Sequence, residues 1–232
     1  MDDIYNNQSY LEQNPLWHQE DAAYKAGFIF ELLQRNHISF QTVGEVGCGS
    51  GAVLEELSKC NNNKTINYFG FDISKDAINI ANKRSNSNLS FYLKDITDSS
   101  NTDLFDVLLV VDVIEHLPNY FSFLEAIQKK STHTVFHIPL DMFVWSLFRE
   151  NMLIESKKRV GHIHNFSEDF ILSVIEDNGF NIIDKQYTEP DYTSSSFKQR
   201  IVNTLKKLLF KISPRFCSKT LGGYSIMVLC KN

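Results

Sequence analysis

A glycine-rich turn is the first feature of this sequence whose residue types and spacing could do chemistry. The turn follows a short apolar run and precedes a segment with apolar residues at helical spacing. It consists of Glu45, Val46, Gly47, Cys48, Gly49, Ser50 and Gly51. Glycines at a strand-to-helix junction let the backbone approach a ligand, and the amide groups there lie at the positive end of the helix. A tight turn without a ligand would contain the same glycines, so this feature alone leaves both interpretations open.

Carboxylates at the ends of the next two predicted strands extend this pattern. Asp72 ends the second apolar run, 21 residues after Gly51, and Asp95 follows the third. Because the carboxyl ends of parallel strands meet at one edge of a sheet, Asp72 could accept hydrogen bonds from two ribose hydroxyls there. Asp95 could accept one from the exocyclic amine of adenine. Either acid alone is typical of a turn or a helix cap, but three successive strand ends of this kind predict a nucleoside site.

A six-residue segment after the fourth predicted strand adds a family resemblance. Residues 112–117 read Asp-Val-Ile-Glu-His-Leu, and together with the glycine turn and the two acids they resemble the class I methyltransferases. The similarity extends from about Gly44 to Gly179. Members of this family use S-adenosylmethionine as cofactor, so the resemblance implies methyl transfer and leaves the methyl acceptor undefined.

The resemblance also implies roles for individual residues. The glycine turn would surround the methionine part of the cofactor. Asp72 with its neighbour Ile73 would bind the ribose, and Asp95 with Ile96 would hold the adenine. The segment that lines the cofactor near its sulfonium would comprise Val111, Asp112 and His116.

A nicotinamide dinucleotide is the competing ligand for such a turn. Its sites typically have the spacing Gly-x-Gly-x-x-Gly for the pyrophosphate, whereas the third glycine here comes one residue earlier. S-adenosylmethionine has no phosphate, and Glu45 suits its positive charge better than a pyrophosphate. We therefore expect an S-adenosylmethionine-dependent methyltransferase that acts on an oxygen or nitrogen atom of a small molecule, such as a sugar or nucleotide-linked intermediate. Two alternatives stay open: a nicotinamide-dependent oxidoreductase and a non-catalytic Rossmann-like binding protein.

Three histidines are candidates for the catalytic base. A hydroxyl acceptor must lose a proton during transfer, and imidazole accepts protons near neutrality. His137 ends the fifth predicted strand, and His162 and His164 lie just before a helix. Each therefore also has a structural interpretation, as a strand-end or helix-capping residue. His162 and His164 with Glu168 and Asp169 lack the further matched ligands of a convincing metal centre, so no metal site is predicted.

These side chains need an α/β domain to position them. Short apolar runs alternate with helical patterns, which predicts one Rossmann-like, doubly wound domain. Its seven-stranded sheet would be mostly parallel, with an antiparallel edge strand and a late helical insertion. The predicted strands are 42–46, 66–71, 89–93, 105–111, 134–138, 180–187 and 224–230. The predicted helices are 20–36, 52–59, 75–84, 120–130, 167–178 and an amphipathic basic helix at 201–212.

The predicted domain has four parts, namely an N-terminal arm and helix (1–40), the core (41–190), a basic helical insertion (191–222) and a final strand (223–232). Trp17, His18 and Lys25 could fold over the pocket, with Lys25 as a partner for the cofactor carboxylate. A solvated lysine is the favoured alternative. The apolar segment 142–148 could line the acceptor pocket or face another subunit, so the oligomeric state is left open.

The distribution of charge bears on the partners of the protein. All 28 acidic residues precede Tyr192, whereas eight of the 23 basic residues follow it. This basic end could attract an anionic acceptor or touch an acidic membrane surface, although a solvated helix that covers the sheet is the favoured interpretation. One short basic helix on an acidic body disfavours nucleic acid as a partner. Four scattered cysteines, and the lack of a signal-peptide pattern or a long apolar stretch, predict reduced thiols in the cytoplasm.

Overall fold

A seven-stranded sheet forms the centre of the computed structural model, which describes residues 19–61, 63–98, 100–189 and 197–232. The strands are β1 (Thr42–Val46), β2 (Asn67–Asp72), β3 (Leu89–Leu93), β4 (Phe105–Val111), β5 (Ser131–Pro139), β6 (Asn181–Thr188) and β7 (Ser225–Lys231). Their order across the sheet is β3-β2-β1-β4-β5-β7-β6. Strands β1 to β5 pair in parallel, while β7 pairs antiparallel with both β5 and β6. The predicted mostly parallel, Rossmann-like sheet with an antiparallel edge is confirmed.

Helices connect the parallel strands and continue after β5. The α-helices of the described residues are α1 (Ala22–Arg35), α2 (Ala52–Cys60), α3 (Lys75–Ala81), α4 (Tyr120–Ile127), α5 (Val144–Leu147), α6 (Glu150–Val160), α7 (Glu168–Asp177), α8 (Phe197–Ile212) and α9 (Pro214–Thr220). Short 3-10 helices lie at Gln19–Asp21, Asn82–Arg84 and Ile114–His116. None of the helices described is long and apolar enough to cross a membrane.

Two apolar layers, one on each face of the sheet, form the core. Helix α1 packs in one layer through residues such as Ile29, and α7 packs in the other through residues such as Ile175; both are fully buried. Strand β4 contributes to both layers because its side chains alternate: Val107 and Leu109 lie on the α1 side, and Leu108 lies on the α7 side. The carboxyl ends of β1 to β5 consequently meet at one edge of a sheet that is covered on both faces.

The predicted elements agree with the structure to within a few residues. Each predicted strand is present with ends no more than three residues away, and β6 pairs with β7 as expected. The helix predicted at 75–84 is α3 followed by a 3-10 turn, and the helix predicted at 120–130 ends at Ile127. All four cysteines are free thiols.

Helices α6 and α9 were not predicted, because neither has an apolar stripe. In α6 the large apolar side chains of Met152 and Ile154 are about half exposed. The usable signals were at the helix ends. Helix α6 ends in basic residues and is capped by Gly161 at φ 83°, which is a common helix stop. Helix α9 begins with Ser213 and Pro214, and the Ser213 Oγ accepts a hydrogen bond from the Phe216 N–H at 3.3 Å.

Helix α8 is the predicted basic amphipathic helix, but most of its apolar stripe is exposed. Ile201, Leu205 and Leu208 are each at least 50% exposed. The helix contacts the sheet edge through Phe210, whose ring stacks on Tyr224 at 4.8 Å between centroids. Within the described residues, α8 therefore does not cover the sheet in the way that the favoured interpretation expected.

Candidate active site

The glycine turn between β1 and α2 has a backbone that requires glycine. Gly47, Gly49 and Gly51 have φ values of 65°, 53° and 75°, in the left-handed region that side chains disfavour. A Cβ atom on Gly51 would lie 2.4 Å from the Phe91 ring, and one on Gly47 would lie 2.8 Å from Val113. These glycines thus let the turn pack tightly against β3 and against the segment after β4.

Within the same turn, the other predicted residues do not point their side chains into solvent. Cys48 and Ser50 are 7% and 3% exposed. Cys48 packs toward β2, because a Cβ atom on Gly70 would lie 2.9 Å from its Sγ. Any contact of these two residues with a ligand therefore involves their backbone groups.

Asp72 connects the glycine turn to the end of β2. The Gly49 N–H donates to its Oδ2 at 2.9 Å, and the Ser74 N–H donates to its Oδ1 at 2.7 Å. Burial raises the pKa of the Asp72 carboxyl, although the hydrogen bonds from Ser74 and Gly49 act in the opposite direction. Asp72 therefore lies against the turn, as its predicted role requires.

A cleft of about 460 Å³ brings the three strand ends together, which lies within the range of about 300 to 1,000 Å³ typical of ligand pockets. Gly47, Asp72 and Asp95 all line it. Of the other predicted residues, Ile73 and Ile96 line it too; Ile73 is 58% exposed and offers an apolar surface. Additional lining residues that the sequence pattern missed include Lys94, Thr97, Val113, Leu117, Pro118, Asn119, Ser122 and Phe123.

Asp95 lies exposed at the rim of this cleft. Its Oδ1 accepts hydrogen bonds from the Thr97 N–H at 2.8 Å and the Thr97 hydroxyl at 2.6 Å. These bonds orient the carboxylate. Together, two oriented carboxylates, an apolar wall and a turn with a close backbone approach fit the nucleoside and amino-acid parts of S-adenosylmethionine.

Glu45 and Val111 do not line the cleft. Glu45 is 2% exposed, and its Oε2 has no hydrogen-bond partner among the described residues. Burial raises its pKa well above the usual value, opposed by Lys25 and reinforced by Asp72 and Asp112. Val111 is 8% exposed and belongs to the apolar layer on the α1 side. Both residues therefore lie beneath the site.

A polar network centres on Asp112, which precedes the cleft residue Val113, has a side chain 30% exposed and adopts φ 52°. The Lys25 ammonium donates to its Oδ2 at 2.7 Å and pairs with Asp21 at 2.8 Å. His137 Nδ1 donates to its Oδ1 at 2.6 Å, and His137 Nε2 is hydrogen-bonded to the Thr188 hydroxyl at 2.8 Å. Helix α1 and strands β4, β5 and β6 are linked in this way.

Charge stabilises this network. Burial disfavours the charged forms of both Lys25 and Asp112, but their mutual attraction, with His137 and Asp21, raises the pKa of Lys25 and lowers that of Asp112. The favoured expectation of a solvated lysine is wrong, since Lys25 is 8% exposed. Trp17 and His18 lie outside the described residues.

A second cluster is formed by Glu115, His116 and His162; two of these residues lie in sequence between Val113 and Leu117, which line the cleft. His162 Nδ1 donates to Asp141 Oδ2 at 2.6 Å, and His116 Nδ1 donates to the Gly161 carbonyl at 3.1 Å. The Nε2 atoms of the two histidines each lie 4.0 Å from Glu115 Oε1. The structure thus brings together two predicted residues, His116 and His162, with an acid that the prediction did not use.

The three predicted catalytic histidines lie in three different surroundings. Both ring nitrogens of His137 are engaged in the Asp112 network. His164 Nε2 donates to the Leu117 carbonyl at 2.9 Å, and its ring packs edge-on against Tyr120. Of the three histidines, His162 belongs to the cluster with Glu115 and His116.

Known proteins share both the sequence pattern and the fold. A family model described as a methyltransferase domain matches residues 16–185. The chain belongs to this methyltransferase family. The family model confirms the methyltransferase resemblance, and solved methyltransferase structures share the fold.

Two curated methyltransferases match part of the chain. The ubiquinone biosynthesis O-methyltransferase of Hydrogenovibrio crunogenus is 29% identical over 103 residues, and the (S)-coclaurine N-methyltransferase of Thalictrum flavum subsp. glaucum is 30% identical over 90 residues. These matches cover 42% and 38% of this chain, but they span 41% and 25% of the relatives' own lengths.

Solved methyltransferase structures share the fold over most of the chain. A putative methyltransferase from Bacillus halodurans has a TM-score of 0.61 at 14% identity and covers 87% of this chain and 96% of its own. The N-methyltransferase NodS from Bradyrhizobium japonicum, in complex with S-adenosyl-L-homocysteine, has a TM-score of 0.60 at 14% identity. The match covers 97% of this chain and 99% of NodS. At this identity the likeness establishes the fold of the methyltransferase and leaves its acceptor open.

The Lys25 to Asp112 ion pair is expected to stabilise the methyltransferase fold. Lys25→Met should lower the free energy of unfolding by about 2 to 4 kcal/mol, because Asp112 then loses a buried cation. Urea unfolding followed by circular dichroism measures this. The control is Lys59→Met, since Lys59 is 56% exposed and pairs with Glu55 and Glu56 at the surface; it should cost less than about 1 kcal/mol. Equal effects of the two substitutions would contradict this role of Lys25.

Proposed function

We propose that this methyltransferase transfers the methyl group of S-adenosylmethionine to an oxygen or nitrogen atom of a small molecule. The observation that carries the proposal is the single cleft in which Gly47, Asp72 and Asp95 converge from three strand ends. The two partial relatives, one named an O-methyltransferase and the other an N-methyltransferase, support a small-molecule acceptor. The sulfonium of S-adenosylmethionine supplies an activated methyl group, so the protein must align the acceptor and exclude water.

In this proposal the described residues divide the cofactor among them. Asp72 accepts hydrogen bonds from the ribose hydroxyls, and Asp95 with Ile96 holds the adenine. The turn from Gly47 to Gly51 surrounds the methionine part with its backbone. The predicted pairing of Lys25 with the cofactor carboxylate has less support, because two carboxylates of the protein already bind that lysine.

The acceptor would react beside the cluster of Glu115, His116 and His162. Val113 and Leu117 flank Glu115 and His116 in sequence, and both line the cleft. Asp141 holds the His162 ring so that its Nε2 faces Glu115. An oxygen acceptor must release a proton, and His116 of this cluster directly precedes Leu117 of the cleft lining. We therefore favour oxygen as the methylated atom, with His162 as the predicted catalytic histidine that acts on the acceptor.

Asp72 provides a test of the cofactor half of the site. Asp72→Ala should weaken binding of S-adenosylhomocysteine by about 10- to 100-fold, since hydrogen bonds to a charged group contribute about 1.5 to 3 kcal/mol. Isothermal titration calorimetry measures the affinity. Asp76→Ala is the matched control, because Asp76 is an exposed acid in the first turn of α3. Unchanged affinity in the Asp72 variant would exclude the assignment of the ribose to this carboxylate.

His162 provides a test of the acceptor half. His162→Asn should reduce kcat by at least about 100-fold, as loss of proton handling does, while the affinity for S-adenosylhomocysteine stays within twofold. Transfer of labelled methyl to a panel of phenols and amines measures turnover. His37→Asn is the control, because His37 is an exposed histidine at positive φ, a conformation that asparagine tolerates. Full turnover in the His162 variant would refute its role.

The rival functions predict different binding and turnover. A nicotinamide-dependent oxidoreductase would bind NAD more tightly than S-adenosylhomocysteine, and a non-catalytic binding protein would bind the latter without methylating any acceptor of the panel. The same titrations and assay therefore separate all three functions.

Contact with an acidic membrane surface stays a prediction, and the exposed stripe of α8 supports it. Ile201, Leu205 and Ile212 are exposed together with Lys207 and Lys211, the combination of apolar and basic residues that favours an anionic bilayer. Co-sedimentation with phosphatidylglycerol vesicles should be lost in Leu205→Glu. Equal sedimentation of that variant would exclude this surface. The cytoplasmic location and the sugar or nucleotide-linked acceptor also remain predictions.

A further inference from the structure

Glu115 is a buried acid whose side chain has no hydrogen-bond partner among the described residues. It is 0% exposed, and neither Oε1 nor Oε2 accepts a hydrogen bond from a described residue. A buried carboxylate without partners is strongly disfavoured, and such a group requires an explanation. Two further acids, Asp112 and Asp141, lie near enough to act on it electrostatically, and the nearby cation is Lys25.

The imidazole rings of His116 and His162 both direct their Nε2 atom toward this carboxylate. Because the acceptors at the Nδ1 atoms are the Gly161 carbonyl and the Asp141 carboxylate, His116 and His162 must carry their protons on Nδ1 when neutral. The lone pairs then lie on Nε2, and both Nε2 atoms are 4.0 Å from Glu115 Oε1. The three ligand atoms lie within 4.8 Å of one another.

We propose that Glu115, His116 and His162 bind a divalent zinc ion beside the cofactor cleft. Two imidazoles and one carboxylate form a ligand set of catalytic zinc sites, which keep a further position open for water or substrate. Magnesium and calcium prefer oxygen ligands and so fit less well. Iron also uses this ligand set, but methyl transfer has no need of a redox metal.

The cluster needs a small adjustment to close around the ion. Ligand atoms at about 2.1 Å from a tetrahedral zinc ion lie about 3.4 Å apart, so each 4.0 Å separation from Glu115 Oε1 must shorten by roughly 0.6 Å. The two histidine nitrogens lie within 4.8 Å of each other and must approach by up to roughly 1.4 Å. Histidines that bind a metal typically donate their other N–H to a carboxylate or a backbone carbonyl. His162 and His116 already make such contacts, with Asp141 and with the Gly161 carbonyl. The side chains of His116 and His162 are 15% and 14% exposed, which leaves the ion a path from solvent.

A zinc ion here would deepen the proposed function, on which the following consequence rests. The ion would occupy His162 Nε2, so His162 would act as a ligand and not as the base. An acceptor hydroxyl in the open position would lose its proton to water more readily, because zinc lowers the pKa of a bound oxygen acid. That oxygen would then form the bond to the methyl carbon while the carbon–sulfur electron pair returns to sulfur. No oxidant or reductant is involved.

The direct test measures metal binding by the full chain after treatment with EDTA. Isothermal titration calorimetry with zinc chloride should show one site, and cobalt chloride should give the visible absorption of a four- or five-coordinate cobalt ion. Glu115→Gln and His162→Asn should each lower the affinity at least 100-fold, and Asp141→Asn should lower it about 10- to 100-fold, as loss of a partner of a ligand does. The control variant, His37→Asn, should bind like the original protein.

The outcomes separate this proposal from the proposed function. Absence of zinc binding and of a cobalt spectrum in the original protein, which needs no variant to fold, overturns the metal site. Zinc binding that Glu115→Gln leaves unchanged overturns it as well. If EDTA-treated protein binds no metal yet still methylates an acceptor, the proposed function stands without the metal. If the protein fails to bind S-adenosylhomocysteine with or without zinc, the proposed function fails, whereas the metal site is decided by the titration alone.

Discussion

The left-handed backbone of Asp112 is the constraint on which the rest of the site depends. An aspartate at φ 52° is uncommon, and the buried contacts with Lys25 and His137 hold it in place. This turn directs the chain sharply out of β4, so Val113 reaches the cleft and packs against Gly47. It also begins the 3-10 helix that places Glu115 and His116. A single residue in a strained conformation therefore connects the cleft to the cluster of Glu115, His116 and His162.

Much of the fold, and the convergence of its strand ends at one cleft, was predictable because both depend on local patterns. The strand ends are marked by apolar runs, and Asp72 and Asp95 follow such runs directly, so their convergence follows from parallel pairing alone. The glycines of the turn were predictable for a second reason, since their positive φ values exclude other residues. The polar helix α6 was not predictable, because its sequence contains no apolar stripe by which periodicity could identify a helix.

The acceptor side depends on contacts between distant residues, which no spacing reveals. Glu115 and His162 are far apart in sequence and meet because the Ile163 and His164 N–H groups donate to the Glu115 carbonyl at 2.9 and 3.1 Å. Likewise, Lys25 is buried because Asp21 and Asp112 approach it from two elements. The sequence shows Lys25 and Glu115, but the side chains of lysine and glutamate are normally solvated, so their burial was not expected. The pair Glu115-His116 after β4 was the available signal, and its significance emerged once β5 and the loop before α7 were placed beside it.

The most direct measurement is a crystal structure of the protein with S-adenosylhomocysteine and zinc. We expect adenine beside Asp95, ribose hydroxyls on Asp72, the homocysteine part against the turn from Gly47 to Gly51, and the sulfur directed toward the cluster of Glu115, His116 and His162. Electron density for the nucleoside in a different cleft would refute these assignments. So would a sulfur atom that points away from this cluster, because the acceptor and the methyl group could then not meet at the side chains that we propose act on the acceptor.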